Sequence, residues 1–217
     1  MREAVSLNGV VLQAQPVGEY DRRLVILTQE RGKITVFAHG VRRAKTSPLI
    51  AASNPFVFAV FHLYEGRDAY TLISADAVDY FSEIAQILPG VWYGYYFLEF
   101  ASYYAREGVE AVDTVNLLYV ALKAVLKEIM PVELIRAVYE LRLMTINGEY
   151  AVPEPSEIAD GGAYAAVVHT VSCPIGKLFS FELAEAAEKV FLDYVRSILK
   201  RTVDKTFKSL AVIEEMR

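Results

Sequence analysis

The sequence is nearly free of cysteine and has no long apolar run. Its 217 residues include one cysteine, Cys173, which excludes an intramolecular disulfide and a zinc site built from paired cysteines. No apolar run reaches the ~18 residues that a membrane-spanning helix needs. No charged-then-apolar signal segment opens the chain. We therefore expect a cytoplasmic protein that does not enter a membrane.

Enzyme motifs are missing as well. The sequence has no phosphate-binding loop, no dinucleotide-binding glycine motif, no His-Glu-x-x-His and no Gly-x-Ser-x-Gly. The three histidines, His39, His62 and His169, lie far apart along the chain, which disfavours a metal site built from them. We expect no catalytic residue, no metal and no other cofactor.

What the sequence does have is a basic cluster near its start. Seven Lys or Arg side chains stand between Arg22 and Lys45 against one acid, Glu30, although the whole chain carries a formal charge of −5. Residues 1–80 hold nine bases and eight acids, whereas residues 81–217 hold thirteen bases and nineteen acids. Such a local reversal of sign is typical of a surface that meets phosphates, and the uneven division suggests two modules.

The front of the chain has the pattern of β-strands. Apolar residues alternate over 4–14, and their parity changes at Asn8-Gly9, which predicts a β-bulge there. Residues 24–27 and 34–37 flank a polar turn with Gly32 and predict a hairpin. Two more strands, 56–64 and 69–75, follow a bridge of small residues between Pro48 and Pro55. Five strands in such a short stretch predict an antiparallel barrel of the OB type over residues 1–78, with an SH3-like barrel as the competing fold.

The remainder, residues 79–217, has helical periodicity. Apolar spacing predicts helices near 81–88, 91–106, 113–129, 131–147, 183–198 and 203–210. Three prolines and Gly161-Gly162 predict that residues 149–180 are largely loop. The aromatic residues of the second helix have spacing that favours a bundle core over a surface that stacks bases. The fold class is therefore α+β with two domains, a barrel followed by an all-α domain.

The basic cluster and nearby rings together indicate nucleic-acid binding. OB barrels hold single strands by a basic groove that follows the phosphates and by aromatic rings that stack on bases. Rings that lie on or beside the predicted strands include Tyr20, Phe37 and Tyr70. A basic hairpin that serves only solubility is the competing interpretation, but seven bases against one acid favour contact with a polyanion.

Three short motifs resemble the N-terminal sequence of the bacterial RecO family. They are Gly18-Glu19-x-Asp21-Arg22-x-Leu24, then Leu27-Thr28-x-Glu30-x-Gly32-Lys33, and Ala38-x-Gly40-Val41-Arg42-Arg43-x-Lys45-x-Ser47. Weaker likeness continues through Glu140-Leu141-Arg142-Leu143 and Asn147-Gly148 to Lys205-x-Phe207-Lys208-Ser209-Leu210. The resemblance implies an N-terminal OB domain, a helical domain and a recombination mediator without enzymatic activity.

The family's role implies several partners. Members bind single- and double-stranded DNA, anneal complementary strands and act with RecR and RecF to load RecA onto DNA coated by single-strand binding protein, SSB. A cytoplasmic, nucleoid-associated location follows from this role. By the match of motifs, the DNA-contacting bases of this chain are Arg22, Arg23, Lys33, Arg42, Arg43 and Lys45.

The helical part carries two further implications of the resemblance. Family members dock the acidic C-terminal tail of SSB on this domain, and Arg136 and Arg142 are the candidates for binding its carboxylates, because Arg suits bidentate capture. Many members also hold a four-cysteine zinc site after the position of Gly148. This sequence departs from that pattern, because Cys173 is its one cysteine.

Two alternative functions remain open from the residues alone. An RNA-binding OB protein would show the same basic cluster and rings, and the 2′-hydroxyl would distinguish its ligand. A protein–protein adaptor would use the barrel for a protein partner, with the basic side chains on an inert surface.

Overall fold

The computed structural model describes residues 3–43 and 48–215, and it begins with a five-stranded barrel. The prediction of a barrel followed by a helical region is confirmed. The strands are β1 (Ala4–Val17), β2 (Asp21–Thr28), β3 (Gly32–Ala38), β4 (Phe58–Glu65) and β5 (Tyr70–Asp79).

The strands close in the order β1-β2-β3-β5-β4, with β4 returning to β1. Neighbouring strands pair antiparallel except β3 and β5, which run parallel and join at Val36↔Tyr70 and Phe37↔Thr71. This short parallel pair departs from the predicted all-antiparallel barrel, and it leaves no open edge between β3 and β5.

The barrel interior is filled by alternate residues of every strand. Leu24 and Ile26 of β2 and Ile34 and Val36 of β3 point inward and are buried, as the period of two requires. Phe61 of β4 is completely buried among them. Because these positions point inward, Arg23 on β2 and Phe37 on β3 face outward.

The predicted bulge lies elsewhere on β1. The register of the β1–β2 pair shifts between Val11 and Gln13 rather than at Asn8-Gly9, so the prediction of a bulge at Asn8-Gly9 was wrong in position. Asn8 is held in line because its backbone N–H and side-chain amide both donate to the Glu30 carboxylate. At Gly9 a Cβ atom would stand 2.4 Å from the carbonyl oxygen of Leu27, so glycine serves close strand approach there.

The helices follow the predicted order with two additions. They are α1 (Pro48–Ala52), α2 (Gly90–Tyr104), α3 (Val112–Leu126), α4 (Val132–Ile146), α5 (Gly161–Ser172), α6 (Glu185–Thr202) and α7 (Lys208–Glu215). Short 3₁₀ turns lie at Ser82–Gln86, Pro155–Glu157 and Ile175–Lys177. The predicted helix near 81–88 is one of these turns. The helix α1 was not predicted, although Pro48 suits a first helical position.

The expectation of a loop over 149–180 was wrong for its centre. The carboxylate of Asp160 caps α5 by accepting from the backbone N–H of Ala163 at 2.8 Å. This cap fixes the Gly161-Gly162 pair as the first helical residues, where the sequence alone suggested a break. Ala163, Ala166 and Val167 are buried where α5 packs against α4 and α6.

An aromatic cluster forms the core of the helical region. Tyr96, Phe97 and Phe100 of α2 are fully buried. The Tyr139 ring lies 4.4 Å from that of Phe97, and the Phe207 ring meets Tyr96 edge-on at 5.5 Å. The predicted inward orientation is confirmed for these rings, whereas Tyr95 of the same helix is exposed.

The chain divides into two compact units. The first comprises Met1–Ser82 and Ser102–Val115, and the second comprises Glu83–Ala101 and Asn116–Arg217. The last residues of α2 and the first of α3 thus belong to the barrel unit. None of the helices in the described ranges combines the length and the apolar character that a bilayer crossing requires.

Candidate nucleic-acid interface

Arg23 and Phe37 face each other on the outer surface of the barrel. They are direct partners across the β2–β3 ladder, and Gln15 of β1 is the partner of Arg23 on the other side. Both side chains are half-buried, and Arg23 reaches Thr35 Oγ1 at 3.4 Å. A guanidinium and an aromatic ring are therefore neighbours on one outward-facing row of the sheet.

Beyond this row, the Asp21 carboxylate fixes the turn that leaves β3. Its Oδ1 accepts the backbone N–H of Gly40 at 2.7 Å, and its Oδ2 lies 2.8 Å from Nδ1 of His39. These two interactions, the Gly40 hydrogen bond first, lower the pKa of Asp21 below its usual range. The His39 ring in turn lies nearly parallel to that of Phe37, with centroids 6.2 Å apart.

Arg42 and Arg43 project from this turn into solvent. The backbone N–H of Arg42 donates to the carbonyl of Tyr20 at 3.0 Å, and the Arg43 guanidinium lies over the Tyr20 ring at 5.3 Å. Both side chains are exposed. Within residues 3–43 and 48–215 neither forms an ion pair with a carboxylate. Their charges are therefore open to an anionic ligand. Lys45 lies outside the described residues.

Arg22 points the other way, toward α1. Its Nη1 lies within hydrogen-bond distance of the Ile50 carbonyl (3.1 Å), Ser53 Oγ (2.7 Å) and Asn54 Oδ1 (2.9 Å). Partial burial lowers the pKa of Arg22 somewhat from its usual value. This guanidinium holds the end of α1 against the barrel, and its predicted DNA contact stays a prediction.

Lys33 is engaged at the opposite end of the hairpin. Its Nζ donates to the carbonyl of Ser102 at 2.6 Å. Nearby, Arg31 pairs with Glu65 at 2.7 Å and donates to the Tyr70 hydroxyl at 2.8 Å, and both contacts raise its pKa. The role of Lys33 in DNA contact also stays a prediction, and its ammonium already has a protein acceptor.

In the helical unit, Arg136 lines a groove of about 280 Å³ between α4, α6 and the segment leading to α7. Its side chain is 10% exposed and lies 3.4 Å from Glu133 and 3.6 Å from Glu140. Its Nε is buried without a hydrogen-bond partner among the described residues. The groove combines three further basic side chains and one exposed acid with apolar ones, namely Arg196, Lys200, Lys205, Glu214, Leu192, Leu199, Val203, Phe207 and Leu210.

Glu140 also lines this groove and is almost completely buried. Burial raises its pKa, and the neighbouring Arg136 opposes that effect. The Tyr96 hydroxyl donates to Glu140 Oε1 at 2.7 Å. The Glu140 carboxylate therefore contacts both Arg136 and Tyr96.

Arg142 does not line this groove. Its guanidinium donates to the carbonyls of Thr170 and Val171 at the end of α5, the former at 3.2 Å. Cationic groups stabilise helix C-termini, so this contact anchors α5 to α4. The two candidate arginines for the SSB tail, Arg136 and Arg142, thus have different surroundings, and only Arg136 lines the groove.

The residues of 149–180 do not fit the family's four-cysteine zinc site. Cys173 stands alone, and burial raises the pKa of its thiol, whereas zinc binds the thiolate. Across the described residues, no three His, Cys, Asp or Glu side chains converge as metal ligands would. Instead the segment is held by the α5 packing, the Arg142 contacts and the 2.8 Å hydrogen bond between the hydroxyls of Tyr150 and Tyr194.

Sequence reasoning missed the Asp21–His39 contact and the basic groove. The Asp21–His39 contact follows from the register of the hairpin: once Arg22 pairs with Ala38, Asp21 lies opposite His39. The basic groove had a signal too, since Arg196 and Lys200 are four residues apart and share a face of α6. Neither signal was decisive without the fold.

Comparison with known proteins gives a consistent set of relatives. A family model described as "Recombination protein O N terminal" matches residues 1–81. "DNA repair protein RecO" of Alkaliphilus metalliredigens is 34% identical over 144 residues, which cover 66% of this chain and 58% of that protein. The protein of the same name from Desulforudis audaxviator is 32% identical, covering 77% of this chain and 65% of its own length. That from Acetivibrio thermocellus is 25% identical over 96% of both chains.

Proposed function

This chain belongs to the RecO family, whose named relatives are DNA repair proteins, and we propose that it binds DNA in recombinational repair without enzymatic activity. The observation that carries the proposal is the pair of exposed guanidiniums, Arg42 and Arg43, beside the row of Arg23 and Phe37. This group of residues, together with Tyr20, Asp21, His39 and Gly40, is called the open end of the hairpin below.

Phosphate neutralisation is the proposed mechanism. Two DNA strands repel each other as polyanions, and cations that screen both strands while leaving base edges free lower the barrier to annealing. Arg42 and Arg43 are suited to this role because both are exposed and neither forms a close ion pair with a carboxylate of the described residues. Arg22, Lys33 and Lys45 remain part of the proposed surface, with the open end contributing most.

The test is the salt dependence of binding to an oligonucleotide. We expect the logarithm of the affinity of the wild-type chain to fall linearly with the logarithm of salt concentration. The variant with Arg42→Glu and Arg43→Glu should bind weakly, with a shallower slope. A matched control reverses two exposed bases of the helical unit, Lys189→Glu and Lys200→Glu. Affinity that hardly changes with salt, or that survives the first double variant in a folded protein, would favour the adaptor function instead.

A competition experiment separates DNA from RNA. Strands of equal length and sequence differ in the 2′-hydroxyl, which an RNA-binding protein would use. The proposal predicts that unlabelled DNA displaces labelled DNA at least as well as RNA does. Preferential displacement by RNA would assign the barrel to an RNA ligand.

Further partners belong to the same proposal: RecR, with RecF, in loading RecA onto single strands, and the SSB tail in the groove of α4 and α6. An acidic peptide with apolar side chains matches a groove where the basic side chains outnumber the single exposed acid, Glu214, and where much of the lining is apolar. Arg136 is the proposed carboxylate ligand. Arg142, which caps α5, is retained as a candidate only through its support of the helix packing.

Peptide binding tests the groove. A labelled acidic C-terminal peptide should bind the wild-type chain and lose affinity on Lys200→Glu, which reverses an exposed charge on the rim. Lys189→Glu is the control, because Lys189 lies on the same helix outside this groove. Equal affinity of both variants would place the tail elsewhere.

The division into domains 1–78 and 79–217 and a cytoplasmic, nucleoid-associated location complete the proposal.

A further inference from the structure

Two aromatic rings stand beside the cations of the open end and are not part of the barrel core. Phe37 faces outward from β3 and is half-buried, while the His39 side chain is 60% exposed. Their planes deviate by 9° from parallel. Parallel rings on the outer surface, one half-buried and one exposed, offer flat faces on which a nucleobase can stack.

The orientation of these rings is fixed by the protein itself. The Asp21 carboxylate holds the His39 ring through Nδ1 and holds the next residue through the Gly40 N–H. Phe37 is fixed in turn by its position in the ladder, between Arg23 on β2 and Thr71 on β5. A ligand that stacks on these rings therefore does not have to order them first.

The charges around the rings select the kind of ligand. Arg23 lies directly across the ladder from Phe37, and Arg43 extends from the turn that follows His39. Flat apolar faces flanked by guanidiniums match a base with a phosphate on either side. A duplex keeps its bases stacked inside, so such a site favours single strands.

We propose that Phe37 and His39 form a stacking site for an unpaired base of single-stranded DNA, with Arg23 and Arg43 holding the adjoining phosphates. This inference rests on the proposed DNA-binding function and adds base contact to it. It predicts a preference for single strands over duplexes, which phosphate contact alone does not give.

The experiment compares two single strands of equal length, an oligothymidylate and an abasic phosphodiester. Both present the same phosphates, and the first alone presents bases. We expect the wild-type chain to bind the oligothymidylate on the order of tenfold more tightly, since one stacked base contributes on that scale. Phe37→Leu, which keeps an apolar side chain and removes the ring, should erase most of that difference and leave abasic affinity nearly unchanged.

Three further variants test whether the base preference depends on these two rings and not on any exposed ring. Phe37→Trp keeps a ring and should retain the preference, with its indole fluorescence quenched on binding. His39→Gln removes the second ring from an exposed position, so it should fold and lose part of the preference. Tyr80→Ala removes an exposed ring beyond the end of β5 and should change nothing.

The outcomes separate the two proposals. Equal wild-type affinity for both strands would overturn the stacking site and leave phosphate binding intact. Failure to bind either strand would overturn DNA binding itself. A base preference that survives both Phe37→Leu and His39→Gln would place base contact on other residues and so refute this site.

Discussion

The two ends of the β2–β3 hairpin carry similar charges and use them differently. At the turn end, called the closed end here, Arg31 pairs with Glu65 and Lys33 donates to Ser102. At the open end, Arg42 and Arg43 form no close ion pair within the described residues and remain exposed, although the Asp21 carboxylate lies near enough to interact with Arg43 electrostatically. The cations of the closed end therefore contact the protein itself, whereas Arg42 and Arg43 at the open end are the ones we propose for a ligand.

Backbone contacts mark the same difference. The closed end is covered by residues 106–111, which exchange backbone hydrogen bonds with Gln29, Arg31 and Lys33 at 2.8–3.1 Å. Among the residues that the structure describes, the backbone hydrogen bonds of the turn at the open end lie within the hairpin, such as that between Arg42 and Tyr20. The sequence thus identifies a basic hairpin from its local charge density. Which of its cations are available to a phosphate depends on whether each one already contacts another group of the protein.

The largest expected effect comes from adding a methyl group at the closed end. Gly32 has φ +64°, and its Cβ would stand 2.0 Å from the Arg106 carbonyl oxygen. We expect Gly32→Ala to lower the free energy of unfolding by about 3 kcal/mol or more, through backbone strain and overlap. Urea denaturation followed by circular dichroism measures this loss.

Gly40→Ala at the open end is the matched control. Gly40 has φ +65°, yet its Cβ would meet only the flexible Arg43 side chain at 3.7 Å. Strain without overlap should cost about 1 kcal/mol. Equal losses for the two variants would contradict the view that only one end is covered by other backbone.

Arg22 sharpens the comparison, because it lies near the open end but serves the fold. Arg22→Ala removes contacts to Ile50, Ser53 and Asn54 and leaves the buried Ser53 hydroxyl with one fewer partner. We expect a loss of about 2 kcal/mol in the free energy of unfolding. Unchanged stability together with lost DNA binding would instead show that Arg22 serves the ligand.

A pair of neutralised cations compares the two ends directly. Arg43→Gln should reduce oligonucleotide affinity and make the salt slope shallower by about 0.7, the value for one phosphate contact on a single strand. Lys33→Met should lower stability by about 1 kcal/mol through the lost contact to Ser102. Its salt slope should change less than that of Arg43→Gln. The reverse ranking would mean that the closed end also binds DNA.

The smallest expected effect is a pH dependence at the open end. Because the folded state lowers the pKa of Asp21, its carboxylate stabilises the turn above the ordinary aspartate pKa of about 3.9. That contribution is lost as pH falls through the lower folded pKa. The amide shift of Gly40, followed by NMR, should titrate with a midpoint below that ordinary value. Asp21→Asn should abolish the transition; its persistence would assign it to another group.

Local sequence patterns predicted most of the elements but not their closure. Period-two alternation located the strands, and helical spacing placed Tyr96, Phe97 and Phe100 in the core. The parallel β3–β5 pair could not be predicted, because it depends on a meeting of strands distant in sequence. The helix α5 was missed because its Asp160 cap outweighs the breaking tendency of two glycines.

The site was predicted as a region rather than residue by residue. Charge alone identified the basic hairpin, including Arg42 and Arg43. It could not show that Arg22 would find Ser53, or that Lys33 would find Ser102, 69 positions along the chain. Ring orientation at Phe37 and His39 likewise follows from strand register, which sequence pattern does not supply.

The barrel unit is built from two separate stretches of the chain, so it cannot be isolated as one continuous fragment from the N-terminal residues alone. A fragment ending at Ser82 would lack residues 106–111 and would leave the Lys33 amide without the Arg106 carbonyl. Grafting the first eighty or so residues onto another protein would therefore transfer a hairpin with an uncovered tip. We therefore expect that a fusion protein needs the segment Ser102–Val115 as well as the barrel strands to keep the closed end of the hairpin covered.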